Sequence, residues 1–165
     1  MRRHWKEAKQ KRWHGPFWGL PLAVLNSRAY LTLSPHAVKL LNDLGAQYHG
    51  NNNGDLCAAW KIMCRRNWRS EATLMKAKRE LLQNGLIVET RKGARPNKAS
   101  LYGLTFYLLD PCGGKLDINP NAFPFGEFIV MERLPPLHEL QAIKRENDTR
   151  KNATLTTPAV VETTG

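Results

Sequence analysis

Long hydrophobic runs are missing from this chain of 165 residues, and acidic residues are scarce. No apolar stretch approaches the roughly 20 residues that a membrane-spanning helix needs, so a membrane-spanning protein is not expected. Asp and Glu together number 14 against 25 Lys and Arg, which leaves a formal net charge of +11. This surplus of positive charge indicates an anionic partner, either nucleic acid or a negatively charged membrane surface.

The residue patterns that commonly carry catalysis are also missing. Carboxylates are scattered singly along the chain, whereas a metal-dependent nuclease needs them clustered. The sequence has no phosphate-binding glycine loop, no nucleophile elbow and no metal-binding His-Glu pair. We therefore expect a protein that is not an enzyme.

Cysteine is too rare for a disulfide framework. Cys57, Cys64 and Cys112 form an odd set, and the first two lie seven residues apart on one predicted helix. This spacing favours reduced, partly buried thiols, and it lacks the close pairing of a structural zinc site. No metal and no cofactor are expected. The chain starts with basic residues and no apolar signal-peptide core, so we expect a cytoplasmic protein.

Charge and composition divide the chain into four regions. These are a basic N-terminal arm, a folded domain, an irregular extension and a Thr-rich C-terminal tail that we expect to be disordered: residues 1–16, 17–110, 111–146 and 147–165. The arm mixes basic residues with Trp5 and Trp13, which is typical of nucleic-acid-binding or membrane-surface peptides; an unstructured tail is the alternative. The extension is punctuated by Gly and Pro, with one short helix predicted at residues 137–145.

The first long helix of the domain has a well-marked start. Ser34 can accept a hydrogen bond from a free amide at the helix terminus, and Pro35 suits the first helical position. An apolar stripe at helical spacing follows and continues toward Tyr48. Gly50 is predicted to end this helix.

Two further helices are predicted on either side of a tight turn at residues 67–69. The first spans residues 58–66 and the second residues 71–84, with Ser70 as the cap of the second. Asn67 tolerates the left-handed backbone that such a turn often needs. The apolar faces are predicted to carry Trp60, Met63 and Cys64 on the first helix and Leu74, Ala77 and Leu81 on the second.

A two-stranded hairpin is predicted after these helices. Residues 86–91 begin with a β-branched run, and residues 99–109 alternate and end in aromatic residues, so both are expected to be strands. The tip between them, KGARPNK, is basic and has too few apolar groups to pack. Trp60 and Trp68 lie in or beside apolar patterns and are predicted to belong to the core.

These stretches resemble a known family, the small winged helix-turn-helix proteins of bacteria, phages and plasmids. The likeness covers residues 17–107 and is carried by FWGLPLAVLNSRAYLTLSPHAVKLL, GNNNGDL, NWRSEATLMKAKRELLQNGLIVET and SLYGLTF. The chain departs from the family at Cys57 and Ala58, where a Ser or Thr cap is usual. The resemblance implies an α+β winged helix-turn-helix with a three-helix core plus a two-stranded β-hairpin wing. It also implies that residues 71–84 lie in the major groove of DNA, with the hairpin tip on the flanking backbone or minor groove.

The candidate DNA contacts lie on the second helix of the pair and on the hairpin tip. Arg and Lys can pair with guanine edges or phosphates, and Gln can pair with adenine. The predicted DNA-binding residues are Arg69 and Ser70 just before the helix, Thr73, Lys76, Arg79 and Gln83 on the helix, and Arg91, Lys92, Arg95, Asn97 and Lys98 on the tip. Glu80 is the acidic residue expected beside them. A merely solvated helix face and a solvated loop are the alternatives.

Residues 56–107 hold eleven basic and three acidic residues, which adds to the case for a polyanionic partner. We expect non-catalytic, sequence-specific binding of double-stranded DNA in bacterial or mobile-element transcription regulation. A replication-initiation protein of a plasmid or phage is the alternative within this class. A winged-helix module that contacts protein or RNA is the alternative from another class. A homodimer is left open, and no membrane partner is expected. Because the expected partner is DNA, the expected location within the cytoplasm is the nucleoid.

Overall fold

The computed structural model describes residues 15–94, 96, 98–129 and 145. The arm up to residue 14, the tail, and the helix predicted at residues 137–145 lie outside the described residues, apart from Arg145 itself. The chain divides into compact units of residues 1–131 and 132–165, and the hairpin and the helices around it belong to the first. No helix in the described part of the chain has the length and apolar character needed to cross a membrane.

Within the described residues, the regular structure consists of five α-helices and one antiparallel hairpin. In chain order these are α1 (Leu22–Leu25), α2 (Arg28–Leu31), α3 (Pro35–Gly45), α4 (Trp60–Met63), α5 (Glu71–Gln83), β1 (Ile87–Arg91) and β2 (Leu101–Leu104). A 3₁₀ turn, Cys64–Arg66, continues α4, and two others follow β2, Cys112–Gly114 and Pro120–Ala122. This α+β arrangement of several helices and a two-stranded hairpin fits a winged-helix layout.

Helix α3 begins where its sequence predicts. The Ser34 hydroxyl accepts a hydrogen bond from the Ala37 amide at 3.3 Å, and Pro35 occupies the first helical position. The inner face of the helix is fully buried and packs against α5, with the side chains of Leu40, Leu41 and Leu44 in the core. The Ser34 cap therefore determines where α3 begins, and the apolar stripe determines which face of α3 packs into the core.

The end of α3 differs from the prediction. The helix stops at Gly45, so the expectation that it continues to Gly50 was wrong. Contacts with distant segments end it early. The Gln47 amide group donates a hydrogen bond to the backbone of Cys57 at 3.0 Å, and the Tyr48 ring packs on a tyrosine from the segment after β2.

The helix before the turn is short. It starts at Trp60 with no side-chain cap and tightens into a 3₁₀ turn at Cys64. Because a 3₁₀ turn has fewer residues per turn, Cys64 rotates outward and is exposed, so its predicted place on the apolar face was wrong. Met63 is buried and Trp60 is half-buried against the core. Asn67 has φ of 63°, which confirms the left-handed turn.

Helix α5 has the predicted start and the predicted buried face. The Ser70 hydroxyl accepts a hydrogen bond from the Thr73 amide at 3.3 Å. Gly85, with φ of 64°, follows the helix and allows the chain to reverse into β1. The three predicted core side chains of this helix are buried: Leu74, Ala77 and Leu81.

The hairpin is shorter than its sequence pattern suggests. Strand β1 ends at Arg91 as predicted, whereas β2 ends at Leu104, so strand structure over the rest of residues 99–109 was a wrong prediction. The side chain of Asn53 ends β2 because its carbonyl oxygen accepts the Leu104 amide at 2.7 Å. Leu56 adds an isolated bridge to the middle of β2.

Both tryptophans of the helix pair pack with the core, as predicted, and Trp68 is only 5% exposed. The segment after β2 joins the same core. Phe128 is buried, and its ring meets Phe106 edge-on with centroids 6.4 Å apart. Residues 111–129 therefore pack against the helices and hairpin that precede them.

Candidate nucleic-acid interface

Helix α5 and the two residues before it carry six of the eleven predicted contacts, and two polar anchors to α3 set the position of this segment. The first anchor is Glu80. Its carboxylate accepts hydrogen bonds from the backbone amide of Ser34 at 2.5 Å and from the Ser34 hydroxyl at 2.7 Å. Glu80 therefore turns toward the start of α3 and does not supply a free negative charge to the outer face of α5.

The second anchor is Asp43, a buried carboxylate on α3 that is 6% exposed. It accepts hydrogen bonds from the Lys39 ammonium at 2.6 Å, the Arg66 guanidinium at 2.8 Å and the Trp68 indole N–H at 2.7 Å. The Lys39 ammonium also lies over the Trp68 ring, 5.0 Å from its centroid. This network ties the turn before α5 to the middle of α3.

The charge state of Asp43 follows from these contacts. Burial alone raises the pKa of a carboxyl group, but hydrogen bonds from Lys39, Trp68 and Arg66 outweigh burial and hold the pKa of Asp43 below its ordinary value. Asp43 is therefore ionised at neutral pH. The bonded geometry of the turn depends on that negative charge.

The stability of the domain is expected to fall in acid partly through Asp43. Because its pKa is lower in the folded than in the unfolded chain, its contribution is complete above about pH 4 and is lost as the pH falls through the folded pKa. The Asp43→Asn variant should be less stable than the parent at pH 7, and its free energy of unfolding should change less than that of the parent over this acid range. Urea unfolding at several pH values measures both quantities. Parallel pH profiles for the parent and the variant would contradict this role.

The outer face of α5, together with Arg69 just before its cap, presents positive charge and an amide group to solvent. Arg69, Lys76, Arg79 and Gln83 are exposed, as predicted for contact residues, and Thr73 is half-buried. Within the described residues, no carboxylate forms an ion pair with the three basic side chains. This face is therefore open to an external anion.

Ser70 lies at the start of α5 and is exposed, but its hydroxyl already accepts the Thr73 amide. It borders a cavity of about 200 Å³ whose lining includes His36, Lys39 and Arg69. Neither His36 nor Lys39 was among the predicted contacts, since both belong to α3 and only packing brings them to the turn. The cavity places a lysine and an arginine next to the amino-terminal end of α5, where the helix dipole also favours negative charge.

Three basic residues before the turn were also absent from the predicted contacts. Lys61, Arg65 and Arg66 are exposed on α4 and its 3₁₀ turn, directly before the turn that leads into α5. The available sequence signal was the Arg65–Arg66 pair next to a predicted turn. The Arg66 guanidinium bonds Asp43, while Lys61 and Arg65 form no ion pair within the described part of the chain.

The predicted contacts on the hairpin have different surroundings. Arg91 is half-buried, and its guanidinium donates to the Ala99 carbonyl at 3.0 Å across the hairpin. Lys92 is exposed. Lys98 is exposed and lies 3.4 Å from the carboxylate of Asp117. The other two predicted contacts lie outside the described residues: Arg95 and Asn97.

Comparison of this chain with protein-family models, curated proteins and solved structures finds no match. In the part of the chain that the structure describes, no group of three or more His, Cys, Asp or Glu side chains could hold a metal ion. Cys57, Cys64 and Cys112 are all free thiols.

Proposed function

We propose that this protein binds double-stranded DNA as a winged helix-turn-helix, without catalysis, and regulates transcription in a bacterium or on a mobile element. One observation carries the proposal. The outer face of α5 exposes Lys76, Arg79 and Gln83, and no carboxylate of the described residues pairs with the two basic side chains, while the nearby Glu80 is bonded inward to Ser34. Because the Glu80 carboxylate is bonded to Ser34, it does not neutralise the basic side chains of this face.

The dimensions and chemistry of α5 suit the major groove of DNA. Its 13 residues span about 20 Å at a rise of about 1.5 Å per residue. The groove is about 12 Å wide, which admits an α-helix. Lys76 and Arg79 can donate to guanine O6 and N7, and Gln83 can form the paired hydrogen bonds that identify adenine. Arg69, next to the amino-terminal end of α5, would meet a phosphate.

The hairpin would supply affinity that does not depend on sequence. Lys92 and Lys98 are exposed at the two ends of its tip, where each can neutralise a phosphate. Lys61 and Arg65 would add phosphate contacts from the helix before the turn. This division leaves the reading of bases to α5, because phosphates carry no sequence information.

Selection of bound sequences from a random duplex pool tests the proposal directly. Enrichment of one motif, with affinity that falls as salt rises, is the expected result. A palindromic motif would also indicate a dimer. Binding to structured RNA without a duplex preference, or no salt-dependent binding at all, would reject double-stranded DNA as the partner. Replication initiation uses the same contacts and is distinguished by whether the enriched site lies at an origin or a promoter.

The contact residues of α5 are tested by single substitutions at the selected site. Lys76→Ala or Arg79→Ala should weaken binding by about 1 to 3 kcal/mol and relax the preference at one base position. Fluorescence anisotropy measures the affinity, and circular dichroism checks the fold. Lys115→Ala is the matched control, since it removes the same charge from a lysine outside α5 that is paired with Asp55 at 2.5 Å. If all three substitutions weakened DNA binding equally, the proposal that α5 contacts the bases would be rejected.

A further inference from the structure

The chain after β2 returns to the hairpin and binds it at an irregular point of β1. The pairing between β1 and β2 skips Thr90, with Glu89 opposite Tyr102 and Arg91 opposite Leu101. Such a bulge leaves a backbone group outside the ladder. The Thr90 carbonyl accepts hydrogen bonds from the amides of Asp117 at 2.9 Å and Ile118 at 3.2 Å. The extension therefore completes the hydrogen bonding of the bulge.

This backbone attachment places one carboxylate against both ends of the hairpin tip. One oxygen of Asp117 accepts the backbone amide of Lys92 at 3.1 Å, and the other lies 3.4 Å from the Lys98 ammonium. Both charged side chains remain about half exposed, 47% for Lys98 and 52% for Asp117. An ion pair this open to water is weak, so an external phosphate can replace the carboxylate.

We propose that Asp117 is an affinity-tuning residue, whose carboxylate competes with DNA phosphate for Lys98 and so lowers the sequence-independent affinity of the hairpin. This inference rests on the proposed DNA-binding function. To contact a phosphate, the Lys98 ammonium must either break its ion pair with Asp117 or interact with both anionic groups at once. The carboxylate also repels that phosphate directly. Both effects weaken binding to every duplex equally. Discrimination between DNA sequences still depends on α5.

Asp117→Asn separates this electrostatic role from a structural one. The bonds that hold the extension to Thr90 come from backbone amides, which the substitution leaves unchanged. The asparagine carbonyl oxygen can still accept the Lys92 amide. The main change is the loss of one negative charge beside Lys98, so the fold should be retained.

The experiment compares the full-length parent and Asp117→Asn on two duplexes, the selected site and a scrambled sequence, over a series of salt concentrations. The variant should bind both duplexes about 2- to 5-fold more tightly at low salt, the range expected for an exposed charge pair. The slope of log affinity against log salt should steepen by up to about 0.9, equivalent to one added phosphate contact. The ratio of the two affinities should stay constant.

Two further variants exclude a general effect of net charge. Asp55→Asn removes the same charge from the pair with Lys115 and should raise affinity less than Asp117→Asn does. In a Lys98→Gln background, Asp117→Asn should lose most of its effect, because the residue for which it competes is gone. Equal gains from Asp55→Asn and Asp117→Asn, or an undiminished gain without Lys98, would overturn the tuning role.

The outcomes distinguish this inference from the proposed function. If the parent shows no salt-dependent duplex binding, the DNA-binding proposal fails and the role of Asp117 fails with it. If the parent binds duplex DNA and Asp117→Asn binds with unchanged affinity and salt slope, only the role of Asp117 fails.

Discussion

Trp68→Ala is expected to unfold the domain or to lower its free energy of unfolding by about 3 to 5 kcal/mol, the usual cost of truncating a large buried aromatic residue. Trp68 is 5% exposed, and its indole N–H donates to Asp43 at 2.7 Å. Lys39 covers one side of the ring, and the His36 ring lies 6.3 Å away, centroid to centroid. Removing the indole leaves a cavity beneath the turn and takes one donor from a buried carboxylate.

Urea unfolding followed by circular dichroism measures the effect. Trp68→Phe should be intermediate, since it keeps most of the aromatic volume but loses the pyrrole ring and its hydrogen bond to Asp43. Trp60→Ala is the comparison at a half-buried tryptophan in the same helix pair, and it should cost less. A Trp68→Ala variant that is as stable as the parent but no longer binds nucleic acid would show that the ring is a surface contact.

Asn53→Ala should be the second most damaging change, with a loss of about 3 kcal/mol or more, because several buried polar groups lose a partner at once. Asn53 is fully buried. Its amide group donates to the carbonyls of Leu104, Tyr107 and Leu108, each at 3.0 Å, and its side-chain oxygen accepts the Leu104 amide at 2.7 Å. These bonds satisfy the backbone where β2 ends and the chain turns.

Two comparisons make this prediction specific. Asn51→Ala removes an exposed asparagine from the same loop and should change the free energy of unfolding by less than about 0.5 kcal/mol. Asn53→Asp keeps the acceptor for Leu104 but loses the donors and turns a negative oxygen toward backbone carbonyls, so it should be at least as damaging as alanine. A stable Asn53→Ala protein would mean that water replaces the lost bonds and that this side chain does not shape the hairpin.

The features that the sequence predicted well are local ones. The caps at Ser34 and Ser70 and the left-handed Asn67 depend on a few neighbouring residues, so they could be recognised without knowledge of the fold. The buried face of α5 follows from helical periodicity in the same way. The exposed positions of Lys76 and Arg79 are the complement of that face.

The errors arise where a distant segment overrides a local pattern. The strand predicted over residues 99–109 ends in the aromatic-rich LTFYLL, yet the side chain of Asn53 ends β2 at Leu104. The stripe that continues to Tyr48 suggests more helix, yet the ring packs on Tyr107 and α3 stops at Gly45. Periodicity indicates which side of a helix or strand is apolar, but it does not indicate which distant groups contact the element and end it.

In the candidate site, too, the sequence predicted only part of the arrangement of charged groups. By itself the sequence determined that the chain is strongly basic and that α5 carries exposed Lys and Arg opposite an apolar face. Only the tertiary structure decided where the neighbouring carboxylates lie: Glu80 on the cap of α3, Asp43 beneath the turn and Asp117 beside Lys98. Each of these contacts joins residues far apart in the chain. The direction in which each carboxylate points therefore follows from packing and hydrogen bonding between elements, which neither local propensity nor composition encodes.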